Sequence, residues 1–334
     1  MGEARPSRVI DCAAERLVNW PGMQRTFDLV GVGLNATDTA IIVPEWPEYA
    51  GKIAFLEERM EAGGQVATAV IACRTLGKSC RYIGSVGDDV RGLFQLDSLR
   101  RSGVDITGVV VIPGCPNQTA YIIIDRRTGE RTVLWYRDER LALRPDQLDR
   151  ELVCSGRVLH VDGHDLQATA LAALWAREAG IPVTCDVDTL KPDMDRLIQH
   201  VDYFIASASF PEAYTNEKDP FKALEVLRGE FNMKMAAMTL GHDGVLALTP
   251  DGFLYSPAYE VECLDTTGAG DVFRGCFTFA LLENYPLQKA LDFACAGAAL
   301  NCTAMGARGG VPTLDKVETL MKKAGRRVNP AYCS

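Results

Sequence analysis

The chain has 334 residues, 47% hydrophobic and 24% charged, so it can bury a large core and is not a disordered protein. Its formal net charge of −9 argues against a nucleic-acid partner, which normally meets a basic face. No run of about 18 consecutive apolar residues is present, and the first residues lack the apolar stretch of a secretory signal. We therefore expect a globular protein without a membrane partner.

Eleven cysteines are spread along the chain without a CxxC pair, and their number is odd. A disulfide framework would need paired cysteines in an oxidising compartment. The four histidines show none of the usual metal-ligand spacings. These features predict reduced, mostly buried thiols in a cytoplasmic protein.

The first part of the chain predicts alternating strands and helices. Residues 1–26 are expected to form a short extension before the first strand, Phe27–Gly33, an apolar run that ends in glycine. A helix at Val66–Leu76, a strand at Arg81–Val86 and a helix at Arg91–Arg101 follow. A charged cluster between the first strand and the first helix, at 57–61, is interpreted as an exposed helix face.

The interval 107–137 has a different pattern. Short apolar segments at 107–112, 119–125 and 131–136 are joined by turns that contain Pro, Gly and Asn, with no helical pattern between them. This pattern predicts an antiparallel patch beside the main sheet. Together with the segment 38–62, it would form a small β-sheet lid.

From residue 157 onward, strand and helix patterns alternate again. The predicted strands are Val158–Asp162, Pro182–Asp186, Tyr203–Ala206, Met235–Leu240 and Val245–Leu248. The predicted helices are Leu166–Glu178, Met194–His200, Phe221–Arg228, Ala269–Glu283, Leu287–Thr303 and Leu314–Lys323. This rhythm is typical of βαβ units in a mostly parallel sheet with helices on both faces. The expected fold class is α/β, with one doubly wound domain over residues 27–334 and ligands at the carboxyl ends of the strands.

The strongest chemical signal is the segment Asp265–Asp271, DTTGAGD, followed at once by an apolar helical run. Gly268, Ala269 and Gly270 stand where the helix begins, so its unpaired N–H groups and dipole would attract a phosphate. Asp271 has two interpretations. It either stabilises the first turn of its helix or, as the length and place of the motif favour, acts as a general base toward an attacking hydroxyl.

This motif resembles the C-terminal signature of the ribokinase-like, or PfkB, family of carbohydrate kinases. The family's earlier signature is present in altered form as GGQVATA at 63–69, and IGSVGDDVRG at 83–92 is close to its pattern. The resemblance extends over residues 27–323, and GGQVATA and the ending GARGGVP are most similar to the ketohexokinase and sulfofructose kinase branch. It implies a ribokinase-like fold and transfer of the γ-phosphoryl of MgATP to a hydroxyl of a ketose or pentose.

The resemblance also implies a role for each matching position. Asp271 would be the catalytic base, with Gly268, Ala269 and Gly270 holding the migrating phosphoryl group. The positions implied for the sugar are Asp38, Gly63, Gly64, Gln65 and Thr68. Those implied for ATP are Thr239, Gly241, Gly244, Ser209 and Glu212, the last of which would position Mg²⁺ through water. Those implied for a monovalent cation such as K⁺ are Asp265, Thr267, Ala304, Gly306 and Gly310.

This sequence departs from the family pattern at three of these positions. Gln65 and Thr68 stand where many members carry asparagine, which leaves the sugar contacts open. Ser209 replaces the asparagine of an Asn-x-x-Glu motif but keeps Glu212.

Other residues keep two interpretations. Arg137, in the lid interval, either meets an anionic group on the substrate or is a solvated edge-strand charge. Asp186 and Asp188 end a strand, where they either help to hold Mg²⁺ or serve as a helix cap or turn acid.

Three alternative functions remain open. The first is a kinase for a nucleoside or 2-keto-3-deoxygluconate on the same fold, and the second is a non-catalytic relative that binds nucleotide or sugar. The third is a nicotinamide oxidoreductase, which Ala36 disfavours because it stands in place of the third glycine of a dinucleotide fingerprint. Lid strands with apolar faces also imply a homodimer.

Overall fold

The computed structural model describes residues 25–128, 130–323 and 325–333. The extension predicted for 1–26 therefore lies outside the described residues, except for Arg25 and Thr26. The strands are β1 Phe27–Val32, β2 Ala36–Val43, β3 Glu57–Gly63, β4 Cys80–Gly87, β5 Val109–Ile112, β6 Thr119–Asp125, β7 Arg131–Tyr136, β8 Gly156–Asp162, β9 Val183–Val187, β10 Tyr203–Ser207, β11 Met235–Thr239, β12 Val245–Thr249, β13 Gly252–Ser256, β14 Ala258–Tyr259 and β15 Arg326–Arg327. The helices are α1 Gln65–Thr75, α2 Val90–Arg101, α3 Arg150–Val153, α4 Leu166–Glu178, α5 Asp195–Ile198, α6 Ser209–Thr215, α7 Pro220–Glu230, α8 Ala269–Leu282, α9 Leu287–Asn301 and α10 Leu314–Lys323.

The large sheet has the strand order β13-β12-β11-β10-β9-β8-β1-β4-β5. The strands from β11 to β5 are parallel, whereas β12 and β13 are added antiparallel at one edge. Helices separate most of the parallel strands along the chain, as βαβ crossovers require. The predicted α/β class with a doubly wound, mostly parallel sheet is confirmed.

Successive residues of the central strands face opposite sides of the sheet, and each side has its own hydrophobic core. Leu29 of β1 packs with Val70 of α1 and Phe277 of α8 on one side. Its neighbour Val30 packs with Ala172 of α4 on the other side. Both faces of the sheet are therefore covered, which explains why the strands read as continuous apolar runs.

Helix α8 is apolar on nearly all sides because α1 and α9 enclose it. Gly275 lies where α8 meets α1, and a Cβ added there would lie 2.4 Å from the carbonyl oxygen of Ala69. The missing side chain lets the two helices approach closely. This packing fixes the direction of α8 and therefore the position of its N-terminus.

A second, small sheet has the order β3-β2-β6-β7, with β2 parallel to β6 and the other pairs antiparallel. The charged cluster at 57–61 belongs to β3, so its interpretation as a helix face is wrong. Strand pairing with β2 decides the conformation here, because a strand in a small exposed sheet tolerates charged side chains.

The interval 107–137 is divided between the two sheets, which corrects the lid boundaries expected from the sequence. Val109–Ile112 forms β5, which pairs in parallel with β4 at the edge of the large sheet. Helix α2 connects β4 to β5, so these elements form an ordinary βαβ unit. The turn residues after β5, like those between β6 and β7, include glycine and show no helical pattern, so the sequence pattern predicted one antiparallel unit instead. No helix among the described residues is long and apolar enough to cross a membrane.

Candidate active site

The carboxyl ends of β11, β10, β9, β8 and β1 lie side by side along one edge of the large sheet. Helix α8 begins at this edge, because Arg274 in its second turn donates a hydrogen bond from Nη2 to the carbonyl of Ile205 in β10 at 3.1 Å. The residues predicted for ATP follow β10 and β11, whereas Gly63, Gly64 and Asp38 belong to the side nearest the small sheet. Asp271 lies between the two groups along this edge.

The N-terminus of α8 requires glycine at its cap. Gly268 has φ +72°, and a Cβ there would lie 2.2 Å from the carbonyl oxygen of Ala307. The N–H of Ala269 donates to the carbonyl of Thr266 at 3.2 Å, so this amide is already used in the turn. The amides that follow in the first turn are then the candidates for binding an anion, because the first N–H groups of a helix lack intrahelical partners.

Asp271 is half-buried in the first turn of α8, and its carboxyl group lies within the electrostatic influence of Asp186 in β9. Burial raises the pKa of Asp271 well above its ordinary value, and the nearby charge of Asp186 raises it further. The charges of Arg274 and Arg308 oppose this shift. A carboxylate with a raised pKa is a better proton acceptor, as a general base requires.

Arg274 is a site residue that the sequence analysis missed. Its Nε lies 3.0 Å from Asp186 Oδ1, and the pair is 4% and 2% exposed. Its Nη1 donates to the carbonyl of Gly270 at 2.9 Å. A charged residue within an apolar helical run was the available signal. Asp186 is thus ion-paired beneath the site and caps no helix, contrary to that interpretation.

On the side of the small sheet, Asp38 of β2 lies opposite Glu61 of β3 and beside Gly63. A Cβ on Gly63 would lie 2.7 Å from Asp38 Oδ2. Burial raises the pKa of Asp38 to about 6, against the opposing charge of Arg308. Gly64 has φ +94° and passes so close to Asn35 that a side chain would collide with its Cα. The structure therefore brings the predicted acid and the two glycines together.

Gln65 and Thr68, which were expected to contact the sugar, differ in exposure. Gln65 lies 3.4 Å from Asp186, measured from Nε2 to Oδ1, and is partly exposed. Thr68 is 0% exposed, and its hydroxyl accepts a hydrogen bond from Arg308 Nε at 3.1 Å. Thr68 therefore supports Arg308 in this structure rather than facing an open site.

Arg308 is a second residue that the sequence analysis missed. Its Nη2 donates to the carbonyl of Gly63 at 2.6 Å, and its Nη1 donates to Ser98 Oγ at 2.9 Å. Its charge acts on both Asp38 and Asp271. The signal was the arginine in GARGGVP, which the sequence analysis used only as part of a family pattern.

Arg137 follows β7, and its Nη2 contacts both carboxylate oxygens of Asp165 at 2.7 and 2.8 Å. Asp165 also accepts a hydrogen bond from the N–H of Leu143 at 3.1 Å. The pair is largely buried, so the interpretation of Arg137 as a solvated edge-strand charge is wrong.

The residues predicted for ATP lie after β10 and β11. Thr239 ends β11, and Gly241 and Gly244 bound a short 3-10 turn with φ +59° and +96°. A Cβ on Gly244 would lie 2.0 Å from the carbonyl oxygen of Ser256, so only glycine fits there. Ser209 and Glu212 lie on the short helix α6 after β10, with the carboxylate of Glu212 exposed.

The residues predicted for a monovalent cation form a connected loop. Asp265 Oδ1 accepts hydrogen bonds from the N–H and hydroxyl of Thr267 at 2.8 and 2.7 Å, and Oδ2 accepts one from the N–H of Gly306 at 2.8 Å. Asn301, which the sequence analysis missed, donates to the carbonyls of Thr267 and Ala307 at 3.0 and 3.3 Å. Gly310 lies against the Asn301 backbone, where a Cβ would be 2.5 Å from its carbonyl oxygen.

Both carboxylate oxygens of Asp265 therefore accept hydrogen bonds that hold this loop together. Ala304, the remaining residue predicted for the cation, lies in the same connection after α9. Among the described residues, no group of three or more His, Cys, Asp or Glu side chains is arranged to hold a metal ion.

The sequence profile of the pfkB family of carbohydrate kinases matches residues 30–314. The chain therefore belongs to this family. It is 29% identical over 290 residues to an ATP-dependent ribose-1-phosphate kinase of Halopiger xanaduensis, an alignment that covers 86% of this chain and 95% of the relative.

Among solved structures, the fold is similar to that of a putative ribokinase from Agrobacterium tumefaciens, with a TM-score of 0.83 and 28% identity over 89% of this chain and 97% of that one. It is also similar to an Arabidopsis thaliana ribokinase complexed with ribose and ATP, with a TM-score of 0.76 and 21% identity over 89% and 99% of the two chains. The expected ribokinase-like fold and family are confirmed. The narrower resemblance to the ketohexokinase and sulfofructose kinase branch stays a prediction.

Proposed function

We propose that the protein is an ATP-dependent sugar kinase, which transfers the γ-phosphoryl group of MgATP to a hydroxyl of a ketose or pentose. The observation that carries this proposal is the position of Asp271. It lies in the first turn of α8, at the carboxyl edge of the sheet, with burial raising its pKa. A base is needed there because the acceptor hydroxyl must lose its proton as it attacks phosphorus.

Different residues of the chain bind the sugar, hold the phosphoryl group and accept the proton. Asp38 and the backbone at Gly63 and Gly64 orient the sugar, and the amides at the start of α8 hold the phosphoryl oxygens. Asp271 takes the proton of the attacking hydroxyl. Fixed amides and a helix dipole need little reorganisation when charge develops on the phosphoryl group, so they stabilise the transition state.

Mg²⁺ suits the carboxylate oxygens available on the nucleotide side. The exposed carboxylates of Glu212 and Asp188 follow β10 and β9, and Mg²⁺ is commonly bound through one or two carboxylates, water and substrate phosphates. When bound, the ion would neutralise charge on the phosphates. A requirement for K⁺ stays a prediction, with the carbonyl groups of the Asp265–Gly310 loops as its candidate ligands.

The identity of the sugar depends on the side of the site nearest the small sheet. Arg137 is a candidate contact for an anionic group on the acceptor, in which case that group would share or displace Asp165. The relative that acts on ribose 1-phosphate makes a phosphorylated pentose a worthwhile acceptor to test. A nucleoside or 2-keto-3-deoxygluconate remains an alternative acceptor on the same fold.

The small sheet also supports a proposal of a homodimer. Val133, Leu134, Trp135 and Tyr136 of β7 are all exposed, and Trp135 is 70% exposed. Consecutive exposed apolar residues are typical of an interaction surface. We expect a dimer by sedimentation analysis, and a monomer after Trp135→Lys. A cytoplasmic location is supported by the ten described cysteines, all of which are free thiols.

The direct test is ADP release with MgATP over a panel of ketoses, pentoses, pentose phosphates, nucleosides and sugar acids, with and without K⁺. At least one sugar should stimulate ADP release from the wild-type protein but not from the Asp271→Asn variant. Stimulation by no acceptor in the panel, together with retained sugar or nucleotide binding, would identify a non-catalytic relative. Binding of a nicotinamide cofactor instead of ATP would overturn the proposal.

A further inference from the structure

Arg274 is an unusual residue for its place in the chain. It lies in α8 between Phe273 and Gly275, in a helix whose other side chains past the first turn are almost all apolar, and it is only 4% exposed. Burying a guanidinium group costs several kcal/mol unless it is paired and hydrogen-bonded. Such a group needs a specific reason to be buried three residues after the catalytic base.

The contacts of Arg274 connect three elements at the site. Nε lies 3.0 Å from Asp186 Oδ1 of β9, Nη1 donates to the carbonyl of Gly270 in α8, and Nη2 donates to the carbonyl of Ile205 in β10. The guanidinium therefore fastens the first turn of α8 to the ends of two strands. A Cβ on Gly270 would lie 2.8 Å from Nη1, so the glycine leaves room for this contact.

Asp186 completes the connection to the base. It is 2% exposed and ion-paired with Arg274, and its charge acts on the neighbouring carboxyl group of Asp271. The three side chains therefore form a series from Arg274 through Asp186 to Asp271. A change in the Arg274–Asp186 pair therefore reaches Asp271 through the backbone of Gly270, which Arg274 holds, and through the charges of both side chains.

We propose that Arg274 and Asp186 form a positioning pair that holds Asp271 in line with the acceptor hydroxyl and balances the charge around it. This inference rests on the proposed kinase function, since it assigns a second layer of residues to the same site. The pair touches no substrate; it acts through the base.

The charged groups around Asp271 determine the expected pH effects. They are Asp186 on β9, Arg274 on α8, Arg308 in the loop after α9 and Asp38 on β2. Asp186 itself also faces Asp188 and Asp162. Removing the negative charge of Asp186 should lower the pKa of Asp271, whereas removing the positive charge of Arg274 should raise it.

The experiment compares Asp186→Asn, Arg274→Gln and Arg274→Lys by measuring kcat and KM from pH 5 to 9. We expect kcat to fall about a hundredfold in Asp186→Asn and Arg274→Gln, because a small displacement of a reacting group has this effect. The acidic limb of the kcat profile should move in opposite directions in these two variants, by about one pH unit each. Arg274→Lys keeps the positive charge, so the acidic limb of its kcat profile should stay at the wild-type pH. Its kcat should be higher than that of Arg274→Gln.

Arg177→Gln is the matched control. Arg177 pairs with Asp202 at 3.0 Å near the amino ends of β9 and β10, so its loss breaks a similar ion pair away from the site. This control should keep the wild-type pH profile. If Arg274→Gln does not fold, the double variant Asp186→Asn/Arg274→Gln removes both charges together. It should have low kcat and a limb closer to that of the wild type than Asp186→Asn has.

The possible results separate this inference from the proposed function. The positioning role would be overturned if the acidic limb of the kcat profile did not move, or moved in the same direction in Asp186→Asn and Arg274→Gln. If Asp271→Asn also kept its activity, the proposed function itself would fail. An inactive Asp271→Asn with normal Asp186→Asn and Arg274→Gln enzymes would reject only the inference made here.

Discussion

Arg274 and Arg308 both act on Asp271 through their charges, but they are held in different ways. Arg274 faces the carboxylate of Asp186 at 3.0 Å. Arg308 is bonded instead to neutral oxygens, among them those of Thr68, Ser98 and Gly63, and no carboxylate of the described residues lies within ion-pair distance of it. Burial lowers the pKa of Arg308 to about 10, a value at which it still carries its charge at neutral pH.

This difference gives the two carboxyl groups of the site, Asp271 and Asp38, different charged neighbours. Arg274 is paired with Asp186, and its charge also lowers the pKa of Asp271, but burial and the charge of Asp186 keep that pKa raised. Arg308 lowers the pKa of both Asp271 and Asp38. The side of the site proposed for the nucleotide is thus fixed by an ion pair, and the side proposed for the sugar by hydrogen bonds to uncharged groups.

The largest effect is expected from replacing Asp271, the proposed base, on which the charges of both arginines act. Asp271→Asn should lower kcat by about 10²- to 10⁴-fold, because it removes general-base catalysis. Its thermal stability at pH 8 should rise, since burial raises the pKa of Asp271 and the charged form opposes folding. The gain should shrink as the pH falls toward 4. Equal turnover of wild type and variant in the ADP-release assay would contradict the assignment.

Replacing Arg274 should lower the free energy of unfolding more than replacing Arg308. Arg274→Met leaves Asp186 buried without a cation, and breaking a buried pair costs about 3–5 kcal/mol of unfolding free energy. Arg308→Met loses hydrogen bonds to neutral acceptors, for which we expect about 1–3 kcal/mol.

Urea unfolding monitored by circular dichroism measures both losses, with Arg177→Met as the control for a partly exposed pair. If Arg308→Met cost as much as Arg274→Met, the distinction between paired and unpaired arginine would be lost.

Asp38 should show a conflict between binding and stability. Burial raises its pKa from 3.8 to about 6, so its folded-state contribution favours low pH and is lost as the pH rises from about 4 through 6. Asp38→Asn should therefore stabilise the protein by about 1–3 kcal/mol at pH 8, with the gain vanishing near pH 4.

The same substitution should raise the KM for sugar, and the KM of the wild type should rise below pH 6 as the carboxylate is protonated. A KM that does not depend on pH between 5 and 7 would exclude Asp38 as a charged sugar ligand.

The smallest effect is expected from single partners of Arg308. Ser98→Ala removes one hydrogen-bond acceptor and should cost about 1 kcal/mol of unfolding free energy. Thr68→Val should cost a similar amount and raise the KM for sugar severalfold, because Thr68 and Gly63 hold the same guanidinium. Ser102→Ala, at the residue that follows α2, removes a hydrogen bond to the carbonyl of Ser98 but none to Arg308, so this control should leave the KM for sugar unchanged.

The large sheet could be predicted because each of its central strands is buried on both faces. Phe27–Val32 and Val183–Val187 are mostly apolar, with Asp28 as the one charged residue of the first and Thr184 and Asp186 as the polar residues of the second. The small sheet was harder to predict because its strands are partly exposed and depend on their partners. Glu57–Gly63 carries four charged residues in seven, so nothing in its own pattern distinguishes a strand from a surface helix.

The sequence by itself determined the class of the fold, the family and the position of the proposed base, because these depend on local patterns: apolar strand runs, glycines at a helix start and an acid in its first turn. Only the tertiary structure decided the surroundings of that base. Asp186, Arg274 and Arg308 come from three distant segments, and the pKa of Asp271 depends on their charges and on burial. Neither quantity exists until the strands and helices that carry these residues have packed together.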